Sequence, residues 1–472
     1  MINYPIRFFN TNIPTNKCNL RCHYCYVGQT YSFNNENLDK ELEYSFDHMR
    51  KCLSKSRLGG VCMFNLCAPG ETMLYKQLPE IVQMFLELGH YVSIVTNLVV
   101  DKTLDRIVEI AGSNRDRLFV KCSFHYLELN RLGLVDVFVA NVNKLKDASI
   151  SFTVELTAND ESIKHIPDIK QLCISRLGAF PHIVESRNER DENFPRLTQL
   201  LISEHQLAWQ GLSSPLFNYQ QKHYEKYIPD FCLAGDVSLC LDIASGIVSK
   251  CEGAKQLSNI YDNPDEDYVF SGIGANCPTP HCFINYVHSA LCGCFSDDAP
   301  TYAEERDRVC ADGSHWLTPV MREVFSHRMS EWHTPYSEDK KLFIDTLMRW
   351  NYRKISPTDD EKLRLADIFK GTLSDIKIGL VLAPPYLAEL LKPFTRFTID
   401  REPEESSPSL KQKLKCLFRY LHKKLLRRRE SLGFFDNLPK TDMIIICDYE
   451  HYNKHSKRLA GKKTVNILEL VK

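Results

Sequence analysis

Short apolar runs recur along the first two hundred residues, and each is followed by a stretch whose apolar positions fall at helical spacing. The runs are Ile6–Phe9, Val61–Leu66, Tyr91–Thr96, Leu118–Phe124, Ser151–Leu156 and Phe180–Val184. The helical stretches lie near Glu36–Leu53, Gln77–Leu88, Lys102–Ala111, Leu132–Leu145, Glu161–Leu177 and Leu197–Leu207. Parallel strands need crossovers, so this series predicts an α/β fold with a parallel sheet and helices outside it. Right-handed crossovers would curl the sheet into a doubly wound layer or a partial barrel.

In such barrels chemistry collects where strands end and loops begin. After the first run come Cys18, Cys22 and Cys25, and after the second Pro69, Gly70, Glu71 and Thr72. Thr96 and Asn97 close the third, Ser123 and His125 the fourth, Asn159 the fifth and Arg187 the sixth. Polar residues therefore gather on one rim, the layout of an active site.

Composition narrows the class. Lys plus Arg is 59 against 60 for Asp plus Glu, so the chain as a whole is no polyanion binder. The start of the chain lacks the pattern of a signal peptide, and no apolar stretch is long enough to span a bilayer. Cysteine is the outlier, at 18 of 472 residues with several in tight clusters. Clustered thiols without a secretion signal read as metal ligands in a reducing, cytoplasmic compartment.

Cys18, Cys22 and Cys25 offer three thiolates within eight residues, a set suited to a 4Fe–4S cluster with one iron left open. Zinc prefers four closed ligands, and His23, between two of the cysteines, is poorly placed to be the fourth. The Cys-x3-Cys-x2-Cys spacing, with Tyr24 before the last cysteine, resembles the signature of the radical S-adenosylmethionine (radical SAM) superfamily. That resemblance implies a partial (β/α)6 TIM-like barrel in which the three cysteines hold a cluster and SAM chelates its open iron. It further implies that Gly70 and Glu71 engage the SAM amine, although Pro69 replaces the usual first glycine. Asn97, Ser123 and His125 would contact ribose or carboxylate, and Tyr24 would lie near the adenine; Asn159 and Arg187 are weaker candidates. Leu98 stands where the superfamily often has glycine after Thr-Asn. Each residue also has a plainer role open to it: Glu71 as a helix cap, Ser123 as a core hydroxyl, His125 as a buried imidazole.

Beyond Pro229 turn residues and cysteines become frequent. Val237–Ile243 and Ile247–Ser249 flank Ala244, Ser245 and Gly246 and read as a β-hairpin. Cys232 and Cys251 bracket it, and Cys277 and Cys282 follow as a pair stiffened by prolines. The Cys-x13-Gly-x4-Cys spacing resembles the auxiliary-cluster extension of SPASM and Twitch radical SAM enzymes, implying an auxiliary 4Fe–4S cluster on Cys232, Cys251, Cys277 and Cys282. Cys240, Cys292, Cys294 and Cys310 could supply a second, and four thiolates would equally satisfy zinc. Cys67 also stands out, at the expected catalytic rim.

Helices are expected between Tyr302 and Phe369, then a degenerate Rossmann-like module with strands at Lys377–Leu382, Arg396–Ile399, Met443–Cys447 and Thr464–Leu468. The glycine-rich phosphate loop of such a module is missing. Leu410–Arg429 carries nine Lys or Arg, no acid and a helical leucine stripe, which suits either contact with an anionic surface or a solvated face. The expected division is a barrel over 1–215, an auxiliary-cluster domain over 216–300, a helical bridge over 301–372 and the Rossmann-like module over 373–472.

The resemblance implies an enzyme that cleaves SAM reductively and abstracts hydrogen from an unactivated C–H bond. Its substrate would be a peptide, a protein or a carbohydrate-type metabolite, and its reductant an electron donor such as flavodoxin or ferredoxin. The rival reading is a zinc-stabilised cysteine-rich binding protein without catalysis.

Overall fold

The computed structural model describes residues 2–30, 39–252, 256–295 and 298–373, with the short segments 378–382, 385–391, 443–446 and 464–466. Two compact units emerge, residues 1–334 and 335–472. The segments 1–215 and 216–300 both fall inside the first.

The first unit is built on β1 (Arg7–Asn12), β2 (Cys62–Cys67), β3 (Tyr91–Thr96), β4 (Leu118–Ser123), β5 (Ser151–Thr157) and β6 (His182–Val184). All pair in parallel and in sequence order, each match falling on one of the apolar runs. The crossovers carry helices at Leu78–Glu87, Asp101–Ala111, Val135–Asp147 and Ile166–Leu177, close to the stretches read from periodicity. Residues from all six strands line one cavity, so the sheet curls into a partial barrel.

The hairpin is present as β7 (Ser238–Asp242) and β8 (Ile247–Ser249), extended by β9 (Gln256–Asn259). It does not stand apart. β7 pairs in parallel with β1, giving one sheet of nine strands in the order β6-β5-β4-β3-β2-β1-β7-β8-β9. Gly246 turns the β7–β8 hairpin at φ 75°, where a Cβ would fall 2.3 Å from the Tyr261 ring. Only glycine fits that turn.

Strand alternation divides two cores. Phe9, Phe64, Leu66, Val92, Ile94, Val120 and Val154 face outward and pack under the helices, with the Phe64 and Phe85 rings stacked at 3.9 Å. Phe8, Met63, Tyr91 and Phe119 face inward at the amino-terminal ends of their strands. There they meet Leu291, Tyr302, Met321 and Phe325, with the Phe119 and Phe325 rings 5.1 Å apart edge to face. The floor of the barrel is thus a second apolar core supplied by residues 287–295 and 298–329, and the cavity lies beyond it toward the carboxy-terminal ends of the strands.

The second unit contains helices Glu338–Arg353 and Asp359–Leu373, joined by an Arg349–Glu361 ion pair and by Phe343 packing edge-on against Phe369. It also holds a parallel sheet of β10 (Ile378–Leu382), β11 (Met443–Ile446) and β12 (Thr464–Asn466), with helix Pro385–Leu391 after β10. The expected strand at Arg396–Ile399 and the basic stretch Leu410–Arg429 lie outside the described residues. No helix among the described residues is long and apolar enough to cross a membrane.

One buried group makes stability depend on pH. His90 is 0% exposed, accepts the Cys62 N–H at Nδ1 (3.0 Å) and donates from Nε2 to the Leu53 carbonyl (2.9 Å). The contact at Nδ1 needs the neutral ring, and burial lowers its pKa from 6.5 to about 4. Between those values the unfolded chain binds the extra proton, so stability rises with pH across the window, by up to roughly 1.4 kcal/mol per pH unit. Denaturant unfolding at pH 5 and pH 7 should show this loss on acidification, and His90→Gln, which keeps one acceptor and one donor, should lose less.

Candidate functional site

A cavity of ≈ 300 Å³ occupies the open end of the barrel. Its wall includes nine of the barrel residues singled out from the sequence for cluster or SAM binding: Cys18, Cys22, Tyr24, Cys25, Gly70, Glu71, Asn97, Ser123 and His125. Cys67 and Arg187 also line it.

The cysteine loop is held by backbone contact. Gly70 N–H donates to the Thr15 carbonyl (3.1 Å) and Glu71 N–H to the Lys17 carbonyl (2.6 Å). A Cβ on Gly70 would lie 2.1 Å from the Lys17 oxygen, so this position must be glycine for the loop to sit where it does. On the other side, Arg21 N–H donates to Glu128 of helix Tyr126–Arg131 at 3.0 Å.

Glu71 is 3% exposed, and its carboxylate is largely committed within the chain. Oε1 accepts from the Thr96 hydroxyl (2.6 Å) and the Met73 N–H (2.9 Å), and Oε2 from the Asn97 N–H (2.7 Å). The plainer role, capping the following turn, is therefore realised, and the same group ties the β2 loop to the end of β3. A carboxylate has about four acceptor sites, so one is left toward the cavity. Burial raises its pKa, while the three donors pull it back down.

Asn97 donates from Nδ2 to Asn19 of the cysteine loop at 2.6 Å. Leu98, in the glycine-like place after it, is fully buried and holds φ at 59°, a left-handed conformation that costs a non-glycine residue about 1–2 kcal/mol. The turn is kept even though the glycine is not.

Ser123 ends β4, and His125 starts the next helix. The Tyr24 hydroxyl lies 2.8 Å from His125 Nδ1. Burial lowers the histidine pKa to about 4 and raises that of the tyrosine, so at neutral pH the ring is uncharged and the phenol keeps its proton. Donation from Tyr24 to Nδ1 leaves Nε2–H as a donor. Asn159 does not line the cavity: its side chain caps the turn Asp160–His165 by accepting from Ser162 N–H at 3.0 Å.

The three thiols share one cavity wall. His23 is turned outward, its Nε2 2.7 Å from Glu161, so it closes no fourth position. Burial raises the Cys18 and Cys22 pKa values, Cys22 to about 12, with the neighbouring sulfurs adding to the rise. Cys18 and Cys22 therefore resist ionisation until a cationic group joins them.

The second cysteine set surrounds a separate, smaller cavity of ≈ 20 Å³ lined by Cys232, Cys251, Cys277 and Cys282. Burial, then Cys251 and Cys232, pushes the Cys282 thiol well up; a hydrogen bond with Cys294, then burial, does the same for Cys232. Cys240 instead lines the large cavity, Cys292 and Cys294 pack in the inner core, and Cys310 packs in the outer one. Among the described residues no three His, Cys, Asp or Glu side chains converge on a single metal ion.

The two cavities share a wall of Cys251, Phe283, Ile284 and His288. Arg187 spans between the cysteine sets, its guanidinium 4.5 Å from the Tyr26 ring, 4.4 Å from the Phe283 ring and 3.8 Å from Glu252. Each of those contacts directly follows a cysteine: Cys25, Cys282 and Cys251.

The residues missed from the sequence are Asn10, Asn65, Lys121, Glu155 and Glu252, all on the cavity wall. The available signal was a polar residue at inward parity within an apolar strand, as Lys121 is in β4.

Gly70→Ala should displace the cysteine loop. The expected result is a loss of about 1–3 kcal/mol in denaturant unfolding, together with faster alkylation of Cys18 than in the wild type.

Comparison with known proteins identifies the domain. Residues 12–173 match the sequence model of the Radical SAM superfamily. The chain is 28% identical over 175 residues to a probable GTP 3′,8-cyclase of Methanocaldococcus jannaschii, covering 36% of this chain and 56% of that one. It is 23% identical over 254 residues to the sporulation killing factor maturation protein SkfB of Bacillus subtilis, covering 50% and 58%. The chain therefore spans little more than half the length of the curated relatives it matches. A crystal structure of Streptococcus suis SuiB superposes with a TM-score of 0.40 at 14% identity, over 57% of this chain and 66% of that one. The family match over residues 12–173 and the strand order of the barrel agree with each other.

Proposed function

We propose that the chain is a radical SAM enzyme with one auxiliary 4Fe–4S cluster, modifying a peptide or protein. Cys18, Cys22 and Cys25 would hold the SAM-binding cluster, and Cys232, Cys251, Cys277 and Cys282 the auxiliary one. The observation that carries the reading is the shared wall: two cysteine sets line neighbouring cavities with Cys251 in common. When bound, a reduced cluster and SAM supply a 5′-deoxyadenosyl radical able to take hydrogen from an unactivated C–H bond.

The chain's own part is positioning and exclusion. Gly70 and Glu71 hold the cysteine loop against the barrel rim, and the free acceptor site of Glu71 suits the amine of SAM. The Nε2–H of His125, set by Tyr24, and the Ser123 hydroxyl offer donors for carboxylate or ribose oxygens. The sealed floor keeps water from entering behind the substrate. Reduced thiols are consistent with a cytoplasmic setting and with an electron donor such as flavodoxin or ferredoxin.

The relative named as a maturation protein supports a peptide substrate. A polar small molecule is the second reading, favoured by the relative named as a GTP cyclase. The division into barrel, auxiliary-cluster segment, helical bridge and Rossmann-like module belongs to the same proposal.

Anaerobic reconstitution with iron and sulfide tests this directly. About eight irons per chain are expected, falling by about four in a Cys18/Cys22/Cys25→Ala variant and by about four in a Cys232/Cys251/Cys277/Cys282→Ala variant. Dithionite and SAM should yield 5′-deoxyadenosine only where the first trio is intact. A colourless protein carrying zinc would overturn the assignment.

A further inference from the structure

Lys121 is the unexplained residue of the cavity. It sits on β4 between Phe119, which packs on the sealed floor, and Ser123 at the rim, sharing their inward face. Its register partners are Val95 on β3 and Thr153 on β5. The residue is only 8% exposed, yet its side chain lines the cavity. Among the described residues Nζ has neither a hydrogen bond nor an ion pair within 4 Å, although a buried ammonium is expected to have one.

The acids that face it are already engaged elsewhere. Glu155 is bonded to Arg306 at 2.6 Å. Glu252 accepts from the Asn10 amide at 2.9 Å and lies 3.8 Å from Arg187. Arg187 in turn is held by Glu189 at 2.6 Å. Cys67, the other group near Lys121, has its thiol raised to about 11 by burial and is neutral at pH 7. Of the charged groups around this part of the wall, Lys121 is the one without a close partner. Asn65, elsewhere on the same cavity wall, adds an Oδ1 atom that is buried and unbonded among the described residues.

We propose that Lys121 Nζ is the docking point for a carboxylate of the substrate, on the cavity wall that also carries the first cysteine trio and Cys251. This rests on the reading of the cavity as a radical SAM substrate chamber and deepens it by naming the charge the substrate carries. Burial weakens the lysine's hold on its proton, and an arriving carboxylate restores it by supplying the missing partner. A glutamate or aspartate side chain of a peptide and the acid group of a uronic sugar share this chemistry.

Calorimetric titration of the reconstituted protein with four probes tests the proposal. Acetyl-Gly-Glu-Gly-amide is compared with its Gln counterpart, and glucuronate with glucose. One acid should bind about tenfold or more tighter than its neutral partner, and which acid does so names the source. Lys121→Met should abolish the preference and Lys121→Arg should retain part of it. Lys121→Met should also melt no lower than wild type without ligand, because it removes a buried charge that lacks a partner. Equal binding of acid and neutral probes, an unchanged preference in Lys121→Met, or a clearly lowered melting temperature would each overturn the proposal. Failure of wild type to form 5′-deoxyadenosine would instead sink the radical SAM reading, since the binding assay needs no turnover.

Discussion

The site depends on a contact too close for any side chain. The backbone of residues 15–17 runs across Gly70, and the peptide of Glu71 is bonded into it. The Glu71 carboxylate then reaches the other way, to Thr96 and Asn97, and Asn97 returns to Asn19. The loops after β1, β2 and β3 are locked into one cycle of hydrogen bonds. Thr15, Glu71, Thr96 and Asn97 are buried, so the bonds of the Glu71 carboxylate to Thr96 and Asn97 are worth more than on the surface and costly to leave unmade. The three cysteines inherit their positions from that cycle.

The interior of the barrel is graded. Phe8, Met63, Tyr91 and Phe119 form an apolar floor, Asn10, Asn65 and Lys121 a polar middle, and the rim carries the cysteine loop. Strands β1, β2 and β4 change from apolar to polar at successive inward positions as they run toward the open end. The outward face shows no such gradient, because helices cover its full length.

Much of this was legible in the chain, and the reasons for the rest are physical. The strands of the barrel were readable because each is an apolar run flanked by turn residues. The gathering of Cys18, Gly70, Asn97 and Ser123 followed from their place after those runs. Parallel pairing of β7 with β1 was not legible, since no local pattern records which strand edge a distant hairpin will find. Glu71 was read toward the ligand, yet its carboxylate is mostly spent within the chain, on Met73 of its own loop and on Thr96 and Asn97 at the end of β3. That choice between neighbours in space cannot be made from neighbours in sequence. Lys121 was hidden differently: it is the single charged residue in a run recognised by its apolar members, and the run alone does not mark which of its faces points inward.

The junction of β7 with β1 has a consequence for the order of assembly. Asn12 on β1 and Asp242 on β7 are hydrogen-bonded across 230 residues of chain. At roughly 5–20 residues per second, a ribosome takes tens of seconds to make that stretch. Through that interval β1 can pair with β2 but has nothing on its other side. The nascent barrel therefore carries an open strand edge directly below the cysteine loop, a surface on which another chain could pair. Closure comes late, and the strand that caps the edge is also the one that leads to Cys251. Completion of the sheet and delivery of the second cysteine set are one event in the life of the chain.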